Sequence, residues 1–559
     1  MYSSVFGMAG HCSRGAIGKL GYIIVSKVII GSRDAAREAE GAEFKRELGL
    51  STTEIDADEA AGFMAPAQRY LTMATVVLGS SLYGTALLTT STILPQMQGA
   101  MSATQDEIAW AMTFNILATA VVTPMTGWLV SRFGTKRVVV CSIACFTLAT
   151  LLCGMAQSLE VLVLWRILQG GAGAPVVPLS QSILFNTFPR RQHSMVMSIF
   201  GMAVAVAPVF GPVFGGYLAE MHSWRWSFYM LVPIGICATI GMSWTLPSES
   251  RTVKVRFDWT GFLALATALA SVQLVLARGV RLDWFNSTEI VIECLVAALA
   301  FYVFLVHSLS TRAPFLNLKL LTDRNYALGL ALVTIYGMLN FTPMVLLPPL
   351  LQQQIGFSDA LVGQVIGCRG IGMLVGFMTA GFMSRVDPRI SMAFGFGLQT
   401  LAGLWMLTFD LNVTMEILVI YSAIQGFAVG VVWVPITVVA FDTLESKHYA
   451  EAASIFHLLR NIGSSFFISL SIAEIVRTAG ANYSRMTEMI TPYNRALTAP
   501  GLTGAWSFDT IPGLAKVANE IARQSVMIGY LNAFMMYTVT SALAVVFVLM
   551  VRRRKTHRA

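Results

Sequence analysis

Residues 161–184 read VLVLWRILQGGAGAPVVPLSQSIL. A helix that crosses the hydrocarbon core of a bilayer needs roughly 20 apolar residues. This stretch exceeds that length and carries one charge, Arg166. A guanidinium at the centre of a membrane helix costs about 2.5–3.5 kcal/mol on insertion scales. It persists where it has a partner or a task. The stretch therefore reads as a transmembrane helix with a polar node built into it.

The rest of the chain follows the same pattern. Of 559 residues, 55% are hydrophobic and 12% charged, against about 25% charged in soluble domains. With the 20-residue ruler, fourteen spans are expected: 70–94, 108–130, 138–156, 161–184, 195–218, 228–246, 259–276, 290–309, 326–350, 360–383, 390–409, 415–440, 452–475 and 528–551. An even number places both termini on one side. Alternate loops carry Arg132, Lys136 and Arg137, then Arg190 and Arg191, then Arg251, Lys254 and Arg256, then Arg312, Lys319 and Arg324, then Arg385 and Arg389, then Lys447. The opposite short loops hold Arg225, Arg278 and Arg281. By the positive-inside rule the first set, and both termini, are expected in the cytoplasm.

The formal charge of +8 sits in these short gaps. It reads as a topology determinant facing anionic lipid rather than a nucleic-acid surface. Cys141, Cys145, Cys153, Cys237, Cys294 and Cys368 lie in apolar runs and form no CxxC pair, so no metal or disulfide framework is expected. No P-loop, nucleophile motif or metal-ligand spacing occurs, which argues against an enzyme.

The two halves echo each other. Leu94-Pro95 recurs as Leu347-Pro348, Gly127 with Arg132 as Gly381 with Arg385, Gln169-Gly170 as Gln425-Gly426, and Pro178 as Pro435. The offsets run from 253 for the Leu-Pro pair to 257 for the proline. A near-constant offset reads as two similar bundles, a plan in which transporters place the substrate between the repeats near mid-membrane. The expected organisation is an N-terminal cytoplasmic extension over 1–69, a six-helix bundle over 70–250, two inserted helices over 251–312, and a second six-helix bundle over 313–559. The last contains a long polar loop over 476–527 on the outer side. The extension is either a disordered tail or follows from a start placed too early, with Met64 or Met73 as the true beginning.

Three motifs sharpen this picture. The loop after the second span reads Gly127-Trp-Leu-Val-Ser131-Arg132-Phe-Gly134-Thr-Lys136-Arg137. The fourth span carries Arg166-Ile-Leu-Gln169-Gly170. The fifth carries Pro208-Val-Phe-Gly211-Pro212-Val-Phe-Gly215-Gly216, whose glycines four apart present a small face for close helix contact. These strings resemble motifs A, B and C of the major facilitator superfamily. From about Leu71 to Val551 the chain is most similar to its fourteen-helix drug:proton antiporter branch, of the EmrB/QacA type. The resemblance implies an all-α membrane protein with the major facilitator fold, two six-helix bundles plus two inserted helices. It implies export of amphipathic compounds across the inner membrane in exchange for protons, with alternating access and no cofactor beyond the proton motive force. It makes Arg166 a proton-coupling residue. The outer loop also fits members that work with a periplasmic adaptor and an outer-membrane channel. Three acids common in that branch are replaced by Ala86, Ser131 and Ala277.

Among the remaining intramembrane ionisable groups, Glu293 and Glu474 lie nearer span ends, and the candidates for coupling or gating beside Arg166 are Arg369 in the tenth span, and His457 and Arg460 on one face of the thirteenth. Imidazole is the side chain that ordinarily titrates near neutral pH. Phe114, Tyr336, Asn340 and Gln425 are candidate substrate contacts, as aromatic or polar members of a flexible apolar site. The scarcity of membrane acids argues against polycationic substrates. An importer of the same fold, a transporter of one metabolite, and a non-transporting membrane sensor remain alternative readings.

Overall fold

The computed structural model describes residues 66–247, 257–311, 314–383, 387–491 and 510–550. Most of the expected N-terminal extension, Arg385 and the basic C-terminal tail lie outside the described residues.

Among the described residues, fourteen helical spans follow one another. They are α1 (Pro66–Ala100); α2 (Gln105–Val122), which continues through a tight turn into Thr126–Phe133; α3 (Thr135–Met155); α4 (Leu159–Gly173, then Val176–Thr187); α5 (His193–Met221); and α6 (Trp226–Tyr229, then Leu231–Thr245). Next come α7 (Trp259–Arg278) and α8 (Thr288–Ser310). The second set is α9 (Arg324–Pro349), α10 (Asp359–Met383), α11 (Pro388–Met406), α12 (Met415–Asp442), α13 (Tyr449–Met489) and α14 (Ile511–Met550). Thirteen are long and apolar enough to cross a membrane. The other, α11, covers the expected eleventh span and packs between α12 and α14.

Local chemistry sets the ends. Thr104 and Glu107 form a reciprocal cap at the start of α2. Ser158, Asp258, Asp323 and Asp387 accept backbone N–H bonds at the starts of α4, α7, α9 and α11, where four donors would otherwise lack partners. Pro175 separates the two segments of α4. Gly134, at φ +86°, makes the turn from α2 to α3, a backbone region costly for any residue with a Cβ.

The helix pairings repeat between the halves. In the first set α1 packs on α5 and α6, α4 on α2 and α3, and α3 on α6. In the second, α9 packs on α13 and α14, α12 on α10 and α11, and α11 on α14. The sequence echo is thus a structural one. The inserted helices α7 and α8 pack on each other, and α7 lies against both α2 and α13. It is tied to α13 by Ser469, whose hydroxyl donates to the Leu276 carbonyl at 2.8 Å.

The segment 476–527 differs from the expected loop. Helix α13 runs on to Met489 and α14 begins at Ile511, so both extend well past the roughly 20 residues that fill a bilayer core. Polar side chains do not stop a helix that has a partner. Asn532 bonds Thr478 at 3.2 Å, and Gly529 lies against the backbone of Ile475.

Candidate functional site

Each half contains one buried guanidinium–glutamine node. In the first, Arg166 on α4 is fully buried. Its Nε donates to the Ala111 carbonyl of α2 at 3.1 Å, and Nη1 donates to Gln169 Oε1. Gln169 Nε2 donates to Thr150 of α3 at 2.7 Å, and Asn115 Nδ2 donates to the Arg166 carbonyl at 2.8 Å. In the second, Arg369 sits on α10. Its Nε donates to Gln425 Oε1 on α12 at 2.6 Å, and Nη2 donates to both the carbonyl and Oδ1 of Asn340 on α9, at 2.6 and 2.8 Å. Gln425 Nε2 donates to the Tyr537 hydroxyl at 3.2 Å.

The nodes occupy equivalent places, but the arginine has changed helix. Arg369 stands where the repeat offset puts Asn115, and Gln425 where it puts Gln169. Gly170 and Gly426 then play one role. A Cβ at Gly170 would run into the Asn115 carbonyl, and one at Gly426 into that of Arg369. Each glycine lets the node's two helices touch, so the sequence pair Gln-Gly is a packing requirement next to a hydrogen-bonding one. Asn340 and Gln425, two of the expected substrate contacts, are here the partners of Arg369. Tyr336 is buried and packs on Trp433 with ring centroids 5.1 Å apart, while Phe114 is half-buried beside Trp110.

His457 and Arg460 face the seam between the halves. His457 Nε2 lies 2.6 Å from Gln181 Oε1 of α4, a hydrogen bond from one half to the other. Arg460 stacks over the Trp433 ring at 5.6 Å, and its Nη2 donates to Asn461 Oδ1 at 3.1 Å. Trp433 belongs to the aromatics that suit a flexible apolar site by sequence, whereas Gln181 is not among the site residues expected there. Gln181 carries no local signal, because its partner is 276 positions away.

Motif A sits where the halves meet. A Cβ on Gly127 would stand 3.0 Å from Glu451 Cβ and 3.2 Å from its Cα. Its repeat counterpart Gly381 faces Ser198 of α5, with Ser198 Oγ 2.8 Å from such a Cβ. Ser131, in the usual acid's place, donates to the Gly127 carbonyl at 3.0 Å, within its own helix. Arg132 and Lys136 are half-buried and Arg137 is exposed. At the same end Phe185 stacks on Phe441 at 4.9 Å, and Arg190 approaches Asp442 at 4.0 Å. Along α10 this contact fades. Gly370 still faces Val209 of α5 at 3.6 Å, but Cβ atoms at Gly367 and Gly363 would meet nothing within 4 Å. The halves therefore meet at the motif A end, while α10 faces open space at Gly363 and Gly367.

The motif C glycines act inside the first half. Gly211 and Gly215 press on Thr85 and Thr89 of α1, Gly216 lies near Thr92, and Pro208 fits against Gly84. Ser227 donates to the Gly215 carbonyl at 2.7 Å. The side chain of Pro212 lies outside the described part.

Comparison with known proteins agrees with this architecture. The model of the Major Facilitator Superfamily matches residues 76–466. Multidrug export protein EmrB of Escherichia coli is 31% identical over 72% of this chain and 79% of its own length. Fatty acid resistance protein FarB of Neisseria gonorrhoeae is 29% identical over 83% of this chain and 93% of its own. Among solved structures, the human organic anion transporter MFSD10 aligns with a TM-score of 0.56 at 13% identity, covering 87% of this chain and all of that one. That last likeness is one of fold. With one family model spanning most of the chain and the helix pairings repeated in its two halves, this protein is a membrane transporter belonging to the Major Facilitator Superfamily.

Proposed function

We propose that the chain is a multidrug efflux transporter of the inner membrane, exporting amphipathic small molecules by proton antiport with alternating access. The observation that carries this reading is the seam. The halves meet at the motif A end, α10 faces open space at Gly363 and Gly367, and polar groups from both halves meet between them. The names of the relatives, a multidrug export protein and a fatty acid resistance protein, support the direction and the substrate type. Both termini, and the motif A end, face the cytoplasm by the charge of the loops. Arg166, Arg369, His457 and Arg460 are the groups through which proton movement and rocking are coupled. A periplasmic adaptor and an outer-membrane channel complete the export path.

The energetics suffice. One proton moving down ~100 mV yields about 2.3 kcal/mol, and one pH unit adds about 1.4 kcal/mol. For a neutral substrate exchanged one for one, that supports roughly a 500-fold gradient. The test is a drug-susceptibility panel in a pump-deficient host, with and without an uncoupler. Wild type is expected to raise resistance, and Arg166→Ala to lose at least about tenfold of the transport rate at normal membrane levels. Full resistance in the Arg166→Ala strain removes Arg166 from the mechanism. Export that continues after the proton gradient is dissipated rejects proton exchange.

A further inference from the structure

The seam has positive charge and no anion to match it. Arg166, Arg369 and Arg460 form no ion pair with any described acid. Tyr83 of α1 lies within electrostatic reach of Arg166 and Arg460, and Tyr336 of α9 within reach of Arg460 and Arg369. Each phenol thus lies within reach of Arg460 and of the node arginine of one half. The described acids of the two bundles stand elsewhere. Glu160, Glu416 and Glu451 occupy first turns of their helices. Asp442 ends α12, and Glu474 stands at the far end of the thirteenth span, accepting from Thr478 at 2.8 Å.

The three arginines are not equivalent. Arg369 is wrapped by neutral acceptors. Arg166 is fully buried, and its Nη2 has no partner among the described residues. Arg460 is half-buried. Its guanidinium is backed by the Trp433 ring and held by the amide of the adjacent Asn461. A charge taken out of water without a counter-ion is costly, and the cost is relieved if a ligand brings the counter-ion. With Nε and Nη2 both given to Asn461, the Nη1 end of the ring-stacked guanidinium is the part left to bind an oxyanion.

We propose that the transported class is amphipathic organic anions, and that Arg460 is the residue that selects their charge. This rests on the efflux reading above and names its substrate chemistry. It also fits the energetics. A membrane potential negative inside drives a monoanion outward by a factor of about 50 per 100 mV, where a monocation would be held back by the same factor.

The experiment uses the full chain in lipid nanodiscs and three probes that share one ring system. They are naphthalene-1-sulfonate, naphthalene-1-sulfonamide and trimethyl(1-naphthyl)ammonium, respectively an anion, a neutral molecule and a cation. Binding is measured by titration calorimetry for wild type, Arg460→Gln and Arg460→Lys. Wild type is expected to bind the sulfonate about tenfold or more tighter than the ammonium probe, the scale of one charge-assisted hydrogen-bonded contact. Arg460→Gln should abolish that preference while leaving the sulfonamide affinity within about twofold, and Arg460→Lys should keep part of it. A sulfonate that does not bind, or an ammonium probe that binds as tightly, overturns the proposal on wild type alone. An anion preference that survives Arg460→Gln, or a uniform loss for all three probes, also overturns it. Counterflow of the same probes in proteoliposomes is read separately. Absence of flux for all three sinks the efflux reading, while the affinity ratios still decide the charge selection.

Discussion

Asp258 joins three pieces of chain through one carboxylate. Oδ1 accepts from the Gly261 N–H at 2.9 Å and from His307 Nε2 at 2.8 Å, and Oδ2 accepts from the Phe315 N–H at 3.1 Å. It thereby caps α7, holds α8 and anchors the strand of chain leading to α9, beneath an aromatic cluster of Phe257, Phe262 and Phe315. Partial burial pushes this carboxyl up, but the Gly261 N–H, His307 and the Phe315 N–H together hold it below its ordinary value. A carboxyl lowered by folding stabilises the protein above its unfolded value of about 3.9, and that contribution is lost as pH falls through the lower folded value. Asp258→Asn keeps an acceptor for Gly261 but turns an amide toward the Phe315 N–H. It is expected to cost about 1–2 kcal/mol at pH 7, seen as a lower Tm, with the gap to wild type closing below about pH 4. A gap that is constant from pH 7 to pH 3.5 would show that the charge plays no part. Residues of this kind mark how far a sequence can be read. Arg166, Arg369, His457 and Arg460 stand out because charge inside an apolar run is conspicuous. Their partners Gln181, Trp433 and Tyr83 are ordinary membrane residues, and only the packing of distant helices gives them a role.

At the scale of elements, lengths and periodicity carry most of the information. The fourteen spans are visible as apolar runs because a bilayer leaves a helix few alternatives. The far ends of α13 and α14 are not, since outside the hydrocarbon a polar helix and a polar loop look alike in composition. The repeat is the other legible feature, and it makes a quantitative prediction at the motif A end. Gly127 ends its span against the backbone and Cβ of Glu451, and Gly381 ends its span against a serine hydroxyl. A valine at Gly127 collides with atoms that cannot rotate away, whereas one at Gly381 meets the tip of Ser198, which can. Overpacking of this sort costs about 1–3 kcal/mol, enough to move an equilibrium between closed and parted ends roughly tenfold. With a reporter cysteine at Ser194 in a background free of other cysteines, Gly127→Val should raise the rate of modification from the motif A side about tenfold, and Gly381→Val by clearly less. Equal rates in both variants and the parent would mean that these glycines do not set the closure.

For the molecule as a whole, the question is what holds the closed end and whether it can open in turnover. Polar ties between described residues cross it. They include the His457–Gln181 bond, a weak Ser194 contact to the Gly381 carbonyl at 3.4 Å, and the Arg190–Asp442 approach. A hydrogen bond contributes about 1 kcal/mol net and an exposed ion pair 0–1 kcal/mol. Phe185 of the first half also stacks on Phe441 at 4.9 Å and lies 5.7 Å from the Tyr449 ring, centroid to centroid. Inside each half, by contrast, glycines bring helix backbones into contact along their length. Each described tie across the closure is thus individually weak beside the backbone packing within a half, the combination that suits rigid-body rocking between two states. A direct test places cysteines at Arg190 and Asp442 after removal of the native ones and joins them with a cleavable bifunctional maleimide, since the ion pair spans the gap with two side chains and a disulfide needs closer backbones. Cross-linking should join the halves at the closed end and reduce transport at least about tenfold, because the binding seam can then no longer reach the motif A side, and cleavage of the linker should restore it. Transport that proceeds unchanged with the bridge formed would mean that this end stays shut throughout the cycle, and that substrate reaches the arginines by another path.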